Sequence, residues 1–356
     1  MLNALWNPTT AGDIALPHRL AMAPLSRSRS TVEGVPTELN AEYYAQRASH
    51  AFIISEGTQP SADGQGGPMS PGIYTEEHIA GWRKVTEAVH AADGRIVIQL
   101  MHSGRISHPD NTPHGRQPVA PSAIRPESLF FTASGPSELP VPRELSTDEV
   151  AATVHDFRRA AAAAIAAGAD GVEIHGANGY LVHQFLSTNA NQRTDRYGGS
   201  LENRIRFAVE VVTAVADEIG AGRTGIRISP GNPLNLGDIT ESDTRELYPA
   251  LLRALAPLNL AYLHISHGAD EELLYTLRKL WPSTLVLNRG GTDIPTRAKD
   301  VEDGLADVIA VGIPALANPD LVERIRAGAP LNTPKPEGFY GGGASGYTDY
   351  PTYTAS

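Results

Sequence analysis

The run His175-Gly176-Ala177-Asn178-Gly179-Tyr180-Leu181 is the stretch from which both the fold and the chemistry of this chain can be inferred. It follows Gly171-Val172-Glu173-Ile174, a short apolar run that predicts a buried strand. We expect His175 and Asn178 to share one face of the opening turn of a helix, because residues three apart are neighbours there. Both side chains can donate hydrogen bonds to one ligand oxygen, and Tyr180 can donate a proton. The run therefore predicts a site that polarises a carbonyl group.

Strand-like runs on either side of this stretch alternate with helical patterns. The predicted strands are Leu20–Leu25, Phe52–Glu56, Ile96–Leu100, Gly171–His175, Gly225–Ser229, Tyr262–Ser266, Leu285–Asn288 and Val308–Val311. The predicted helices are Asn40–His50, Glu76–Ala92, Thr147–Ala167, Leu201–Ile219, Glu241–Leu255, Glu271–Leu280, Ile294–Asp303 and Pro319–Ala327. This alternation predicts an α/β fold, a (β/α)8 TIM barrel forming a single domain over residues 1–356. An open doubly wound sheet is the alternative, but its glycine fingerprint is missing after the first strand.

Capping residues predict where two of the helices begin. Ser146 or Thr147, with Glu149 close behind, has the pattern of an amino-terminal cap. Thr240 with Asp243 has the same pattern before the helix predicted from Glu241 onward. We therefore expect helices to start directly after these residues.

Two segments depart from the alternation of strands and helices. Residues 101–143 are rich in Pro, His and Ser, and an insertion of this length after the third strand is typical of a lid. Residues 332–356 are rich in Gly, Pro and Tyr and show no helical pattern. They form an irregular C-terminal tail, for which a frayed end is the ordinary interpretation.

Composition limits the class of protein. The chain has 356 residues, a formal net charge of -11 and no cysteine, and its pI is about 5.5. An acidic surface repels nucleic acid and anionic membranes, so we expect neither as a partner. The N-terminus lacks the pattern of a signal peptide, and no apolar run approaches the ~18 residues of a membrane span, so we expect a cytoplasmic protein. Without cysteine, disulfides, thiolate zinc sites and iron–sulfur clusters are excluded.

Residues able to take part in catalysis or ligand binding recur where the predicted strands end. Active sites of (β/α)8 barrels lie at this carboxyl end of the strands. These residues are Ala23, Pro24, Leu25, Ser26, Gln99, Met101, His175, Asn178, Arg227, Arg289, Gly290, Gly291, Gly312 and Ile313. Each has an ordinary alternative: a structural amide, a buried ion pair, or a simple turn. The histidine spacings match no metal motif, so we predict no metal site.

Two long runs resemble the active-site segment of the old yellow enzyme family, the FMN-dependent ene-reductases. They are the run from His175 to Leu181 and the run Arg193-Thr194-Asp195-Arg196-Tyr197-Gly198-Gly199-Ser200-Leu201-Glu202-Asn203-Arg204. The resemblance extends from Met22-Ala23-Pro24-Leu25 to Gly346-Tyr347-Thr348-Asp349-Tyr350-Pro351. It implies a barrel that binds FMN non-covalently, oxidises NADPH or NADH, and reduces small activated alkenes such as unsaturated carbonyl or nitro compounds. It also implies a monomer or a weak homodimer.

The resemblance also implies roles for individual residues. His175 and Asn178 would hold the substrate oxygen and Tyr180 would be the proton donor. Gln99 would bind the pyrimidine edge of the flavin and Arg227 the negative charge near N1. Backbone N–H groups of Gly290, Gly291 and Gly312 would bind the phosphate. Further cofactor contacts would fall on Ala23, Pro24, Leu25, Ser26, Gly57 and Ile313, and substrate contacts on Met101, Gly67 and Tyr347. The tail over residues 332–356 would fold back beside the flavin and place Tyr347 near the pocket.

The chain departs from the pattern of that family at four of these positions. Ser26 stands where Thr is common, Met101 where Trp is common, and Gly67 where Tyr is common. Ile313 replaces an Arg that usually contacts the phosphate, and we expect Arg289 to supply this charge instead. The alternative is that Arg289 pairs with a surface carboxylate. Two other functions remain open at this point: a non-redox barrel lyase or isomerase that binds a substrate phosphate, and a flavin carrier without turnover.

Overall fold

The structure, a computed structural model, describes residues 2–132 and 134–353; Met1, Ala133 and residues 354–356 lie outside it. Eight parallel strands form a closed barrel in which each strand pairs with the next in the chain and the last pairs with the first. This confirms the predicted (β/α)8 TIM barrel. In chain order the strands are β1 (Leu20–Met22), β2 (Ile53–Ile54), β3 (Ile96–Leu100), β4 (Gly171–Gly176), β5 (Thr224–Ile228), β6 (Tyr262–Ser266), β7 (Thr284–Asn288) and β8 (Val308–Val311).

Helices surround this barrel. In chain order they are α1 (Glu38–Ala45), α2 (Glu76–Ala91), α3 (Thr147–Ala166), α4 (Leu181–Leu186), α5 (Leu201–Ile219), α6 (Thr244–Leu255), α7 (Glu271–Leu280), α8 (Ile294–Glu302), α9 (Ile313–Ala317) and α10 (Leu321–Ala327). The short helices α4 and α9 were not predicted, because five or six residues are too few for a periodic pattern. No helix within the described residues is long and apolar enough to cross a bilayer.

One of the two predicted helix starts is confirmed and the other is wrong. The Ser146 hydroxyl accepts from the backbone of Glu149, whose carboxylate accepts from the backbone of Ser146 in return, so both form a capping box at α3. The helix predicted from Glu241 begins only at Thr244, after Asp243. Glu241 instead accepts a hydrogen bond from the backbone N–H of Gly231 at 2.8 Å, which holds it outside the helix.

Apolar side chains fill the barrel below its carboxyl end. Ile54, Val97, Val286 and Val308, all fully buried, belong to one interior cluster. An antiparallel hairpin, Thr9–Ala11 paired with Ile14–Leu16, contributes to the same cluster and closes the other end of the barrel. The wall between barrel and helices is a second, larger cluster. Polar side chains inside the barrel are therefore displaced towards the carboxyl ends of the strands.

The predicted insertion after β3 contains ordered structure. Strands Leu129–Thr132 and Gly135–Glu138 form an antiparallel hairpin, and Val119–Ala120 pairs in parallel with Arg143–Glu144. The hairpin exposes Leu129 by 67% and Phe131 by 69%. A lid role for this segment stays a prediction.

The C-terminal tail is folded against the barrel, so the frayed alternative is wrong within the described residues. Arg27 donates to the carbonyl oxygens of Phe339 and Gly338 at 3.0 Å and of Gly346 at 2.7 Å. Arg29 donates to the same segment, at Gly343, Gly338 and Ser345. Buried guanidinium groups that satisfy backbone carbonyls explain how a segment without regular structure is held in place.

We expect Arg27→Met to detach the tail. The change leaves the carbonyl groups of Phe339 and Gly346 without their donor, while Gly338 keeps the donor from Arg29. The free energy of unfolding should fall by about 2–4 kcal/mol. Urea unfolding measures this, and limited proteolysis should cleave the tail faster than in the original chain. Arg253→Met on the exposed face of α6 is the matched control. Unchanged stability and proteolysis would contradict the anchoring role of Arg27.

Candidate active site

Polar side chains from four neighbouring strands form a layer at the carboxyl end of the barrel interior. His175 on β4 is in register with Arg227 on β5, which is in register with His264 on β6. One step below, Gln99 on β3 is in register with Glu173 on β4. Residues in the same row of a barrel face the same side. The strand register therefore brings together His175, Arg227 and Gln99, which the sequence analysis had selected separately.

Glu173 lies at the centre of this polar layer. It is fully buried and accepts from Gln99 Nε2 at 2.7 Å and from His264 Nδ1 at 2.9 Å. Burial alone would raise the pKa of Glu173, but His264, Arg227 and Gln99 together hold it below its usual value. Glu173 was predicted only as part of a strand. A carboxylate inside a buried apolar run must find partners, and that signal was available.

His175 is neutral and can donate to a ligand. It is 3% exposed, and burial, reinforced by Arg227, lowers the pKa of its imidazole well below the usual value. Glu173 requires a donor from Gln99, so the amide nitrogen of Gln99 faces it and also lies 3.5 Å from His175 Nδ1. An amide nitrogen only donates, so Nδ1 is the acceptor and Nε2 carries the proton.

The turn after β4 differs from the expected helical turn. Asn178 has a φ of 57°, in the left-handed region that Asn tolerates better than most residues. Its backbone N–H donates to the hydroxyl of Ser229 at 2.8 Å, and its carbonyl accepts from Leu236 at 3.0 Å. The amide of its side chain makes no hydrogen bond with any described residue. The turn is therefore fixed through its backbone, while the Asn178 amide is left for a ligand.

The helix expected to carry His175 and Asn178 begins only after Tyr180, at Leu181. His183 in this helix, α4, holds the turn, since its Nδ1 accepts from the backbone N–H of Gly179 at 3.0 Å. Its Nε2 lies 3.0 Å from Glu241. The roles of His183 and Glu241 were not predicted, because these two residues are far apart in the chain.

Tyr180 is held in its protonated form beside His175. Their ring centroids are 5.2 Å apart. Burial, helped by Tyr340 and opposed by Arg227, raises the pKa of the Tyr180 phenol to about 12. No described residue hydrogen-bonds to its hydroxyl. Tyr180 thus has a proton to give and no protein group that accepts it.

The tail reaches the site through Tyr340, which corrects the expectation for Tyr347. Tyr340 is 68% exposed and close enough to Tyr180 to influence its pKa. Tyr347 is fully buried, stacks on Tyr43 at 4.0 Å and accepts from Asn40 at 3.1 Å. Tyr347 therefore does not line an open substrate pocket.

Arg227 is a buried cation with free donors. It is 9% exposed, its Nε is sealed from solvent without a partner, and none of the described residues accepts a hydrogen bond from its guanidinium group. Burial lowers its pKa, while Glu173 partly offsets this effect. A buried charge left in this state fits an anionic ligand edge, such as the N1 region of the reduced flavin that the sequence resemblance implies. These donors fit FMN.

The segment after β1 offers fewer donors than expected. The backbone N–H of Ala23 is used by the carbonyl of Val311 at 2.9 Å, and Pro24 has none. The N–H groups of Leu25 and Ser26 donate to no described residue, and Ser26 is exposed. Leu25 and Ser26 are thus the groups available to the flavin. Gln99 can accept through Oε1, but its nitrogen is committed to Glu173.

The other two predicted pocket positions, Met101 and Gly67, differ in their surroundings. Met101 is 7% exposed and covers Gly57, since a Cβ atom on that glycine would lie 2.5 Å from the Met101 sulfur. The structure therefore brings these two predicted residues together. Gly67 is half-buried, and its carbonyl accepts from Gln65 at 3.2 Å. A place for Gly67 in the substrate pocket stays a prediction.

The glycine turns that follow β7 and β8 leave space for a group such as a phosphate. Cβ atoms on Gly290 and Gly291 would meet nothing within 4 Å, and Gly291 has a φ of 72°. Gly312 precedes α9, where Ile313 is 48% exposed. Neither turn itself contains a positive side chain that is free of carboxylate partners. Backbone donors are therefore present, but the charge must come from elsewhere.

Arg289 does not supply this charge, which corrects the expectation from sequence. Its guanidinium group pairs with Glu271 at 2.6 Å and with Asp300 at 2.8 Å. These two carboxylates raise the pKa of Arg289, Glu271 contributing most. The two carboxylates offset the positive charge of Arg289, so this residue attracts a phosphate only weakly. Within the described residues, no group of three potential metal ligands occurs.

Comparison with known proteins gives similarities over nearly the whole chain. The NADH:flavin oxidoreductase / NADH oxidase family matches residues 4–332. The chain is 42% identical to a probable flavin mononucleotide-dependent alkene reductase from Leishmania infantum, covering 98% of both proteins. It is 41% identical to 12-oxophytodienoate reductase 1 from Oryza sativa subsp. japonica, covering 98% of this chain and 92% of the relative.

Solved structures give the same result. Morphinone reductase in complex with tetrahydroNAD aligns with a TM-score of 0.93 at 44% identity, covering 98% of both chains. The old yellow enzyme homologue from Zymomonas mobilis also aligns with a TM-score of 0.93, at 39% identity, covering 98% of this chain and 99% of that one.

We predict that Glu173→Gln destabilises the fold and changes its response to acid. Removing the carboxylate leaves Arg227 and His264 without their shared anion, at a cost of about 3–5 kcal/mol in unfolding free energy. Because folding lowers the pKa of Glu173, its contribution is present above about pH 5 and is lost as pH falls through the folded-state pKa. The stability of Glu173→Gln should therefore depend less on pH on the acid side.

Chemical unfolding at several pH values measures both effects. Glu272→Gln on α7 is the matched control, because its side chain is 77% exposed. An acid limb as steep in Glu173→Gln as in the original chain would show that another carboxylate controls it.

Proposed function

The chain belongs to the NADH:flavin oxidoreductase / NADH oxidase family, and from this we propose that it reduces the activated C=C bond of α,β-unsaturated carbonyl or nitro compounds. It is an FMN-dependent oxidoreductase that uses a nicotinamide coenzyme. This enzyme class excludes the two other functions that the sequence left open, the non-redox lyase or isomerase and the flavin carrier without turnover. The proposal rests on the turn after β4, where neutral His175 and the free amide of Asn178 precede protonated Tyr180.

The barrel layer beneath this turn suits the cofactor. FMN held by this layer would supply hydride transfer between the nicotinamide coenzyme and the alkene. Arg227 stabilises negative charge at one edge with its free donors. Gln99 accepts through Oε1, and Leu25 and Ser26 donate from the segment after β1. The protein contributes position and electrostatics.

His175 and Asn178 activate the substrate by binding its oxygen. Neutral imidazole donates through Nε2, and the Asn178 amide donates beside it. As the β-carbon gains hydride, negative charge grows on the oxygen, and donors already in place stabilise that charge without reorganisation. A neutral His175 keeps its proton during this step, so the site polarises the oxygen and leaves protonation to another group.

Tyr180 completes the addition by protonating the α-carbon. Its phenol has a pKa of about 12, so it is protonated at any ordinary pH and gives up its proton only to a strongly basic carbon. Arg227, which lowers the pKa of Tyr180, stabilises the phenolate that remains. Proton transfer by a positioned acid contributes about 10²–10⁴-fold in rate.

We expect phenols to bind as phenolates between His175 and Asn178 and to produce a long-wavelength absorption band with oxidised flavin. Replacing either donor by Ala should weaken this band and slow alkene reduction by on the order of 10²–10³, since one donor of an oxyanion site contributes about 2–4 kcal/mol. Spectral titration with a phenol measures the first effect. His155→Ala, on the exposed face of α3, is the control. Unchanged phenol affinity in His175→Ala with Asn178→Ala would refute the pair.

The proposed function is tested by following the two half-reactions separately in stopped flow. Anaerobic NADPH or NADH should bleach the flavin, and an enone or nitroalkene should restore its absorption with formation of the saturated product. A chain that is bleached by the coenzyme but reoxidised only by oxygen would contradict alkene reduction.

Tyr180→Phe should separate the same two steps. Flavin reduction should remain within about twofold, whereas reoxidation by an enone should slow by about 10²–10⁴-fold. In the original chain, reoxidation should be flat from about pH 6 to about pH 10, because the phenol does not ionise in that interval. Tyr275→Phe on α7, 54% exposed, is the control. If both half-reactions slow equally in Tyr180→Phe, the residue binds both substrates and is not the proton donor.

A further inference from the structure

The phosphate end of the proposed cofactor site lacks an obvious cation. A phosphate monoester brings about 1.5 to 2 negative charges at neutral pH. Gly290, Gly291 and Gly312 offer backbone donors, Ile313 is apolar, and Arg289 is bound by two carboxylates. A cation near β7 and β8 without an acidic partner would complete this site.

Arg297 on α8 has this property. It is 4% exposed, and its guanidinium group forms no ion pair within 4.0 Å with any described carboxylate. Nε donates to the carbonyl of Thr292 at 2.9 Å. Nη1 donates to the carbonyl of Ala310 at 2.6 Å and to Oδ1 of Asn288 at 3.3 Å. All three acceptors are neutral, so the full positive charge remains.

The same three contacts fix the position of the group. Asn288 ends β7, directly before the turn that contains Gly290 and Gly291, and Ala310 lies two residues before Gly312. Nη1 therefore bridges the ends of the two strands that carry the glycine turns. Nη2 is the remaining nitrogen and donates to no described residue. Two nitrogens are anchored, and the third, Nη2, is free to donate.

Arg27, Arg29 and Arg47 are also buried without a carboxylate partner, but Arg29 and Arg47 donate from all three of their nitrogens, which Arg297 does not. Several other buried arginines have an acidic partner. Arg204 pairs with Asp243, Arg193 with Asp195, and Arg105 with Asp238. Burying a charge without a partner costs stability. Burial lowers the pKa of Arg297 to about 10, and the positive charge of Arg289 adds to this effect against Asp300 and Asp293. An anion bound beside Arg297 would offset this cost.

The amino-terminus of α8 does not take this role. Its cap, Asp293, accepts from the backbone N–H of Thr296 at 2.8 Å, so a carboxylate already occupies the end of the helix. A phosphate at that position would meet a negative charge. The side chain of Arg297 is then the cation that the described contacts leave available.

We propose that Arg297 supplies the positive charge that binds the FMN phosphate, donating through Nη2 while Nε and Nη1 fix the guanidinium group between β7 and β8. The proposal rests on the proposed function only through the cofactor. A charge-assisted hydrogen bond of this kind should make the chain prefer FMN over riboflavin, which lacks the phosphate.

The test is titration of deflavinated protein with FMN and with riboflavin, followed by flavin fluorescence. Arg297→Gln keeps a polar side chain but loses the charge, and its dissociation constant for FMN should rise roughly 10- to 150-fold. Riboflavin affinity should change less than about twofold, because that ligand has no charge for Arg297 to bind. Ile313→Arg should recover part of the loss in the Arg297→Gln background, since position 313 is half exposed and follows Gly312.

Two further variants make the result decisive. Arg289→Gln is the matched control, and its FMN affinity should stay close to that of the original chain because Arg289 is already paired. Asn288→Asp keeps the shape of the side chain but gives Arg297 a carboxylate partner, so FMN affinity should fall while riboflavin affinity stays. This variant tests the proposal even where Arg297→Gln does not fold.

The outcomes separate the possible failures. If FMN affinity is unchanged in Arg297→Gln, or unchanged in Asn288→Asp where the former does not fold, Arg297 does not bind the phosphate. If FMN and riboflavin are weakened equally, Arg297 is a structural tie between α8 and the strands, and the proposal is also overturned. If the original chain binds neither flavin, the cofactor assignment itself fails.

Discussion

The buried carboxylate of Glu173 is the interaction on which the site depends. It lies inside the barrel, where an unpaired charge would be costly, and it is satisfied by Gln99 from β3 and His264 from β6. These bonds orient the Gln99 amide, which in turn determines the tautomer of His175. The same carboxylate is the group that most raises the pKa of Arg227 against the effect of burial. One anion thus sets the protonation and the direction of the groups around it.

The fold could be predicted because its signal is repeated along the chain. β3, β6 and β8 have the predicted boundaries, as do α5 and α7. Each of these elements has a hydrophobic pattern long enough to be recognised and clear turn residues at its ends. Failures occurred where tertiary contacts override local preference. Residues 240–243 stay outside α6 because Glu241 bonds to Gly231 and His183, and nothing local to that segment indicates either partner.

The candidate site was predictable to the extent that its residues lie at strand ends or within one short motif. His175, Asn178, Tyr180, Gln99 and Arg227 satisfy that condition. Glu173, Tyr340 and Arg297 do not. Tyr340 and Tyr347 come from the same irregular tail, and only the packing of Tyr347 against Tyr43 decides which of them faces the site. Likewise, Arg289 and Arg297 are indistinguishable cations in sequence. Their difference is the presence of Glu271 near one and of neutral carbonyls around the other.

Arg227 and Arg297 then share a physical character although they lie on different elements. Each is at least nine-tenths buried, and each has donors that no described residue fills. The chain as a whole carries a formal charge of -11, so these cations concentrate positive charge inside an acidic protein. Burying these cations with unfilled donors lowers the stability of the empty barrel, although Glu173 partly offsets the cost at Arg227. A ligand that binds only the folded state stabilises that state, and the stabilisation grows as more of the ligand binds. An anionic cofactor that fills these donors therefore stabilises the fold. A flavin without its phosphate could fill only the donors of Arg227 and would stabilise the fold less.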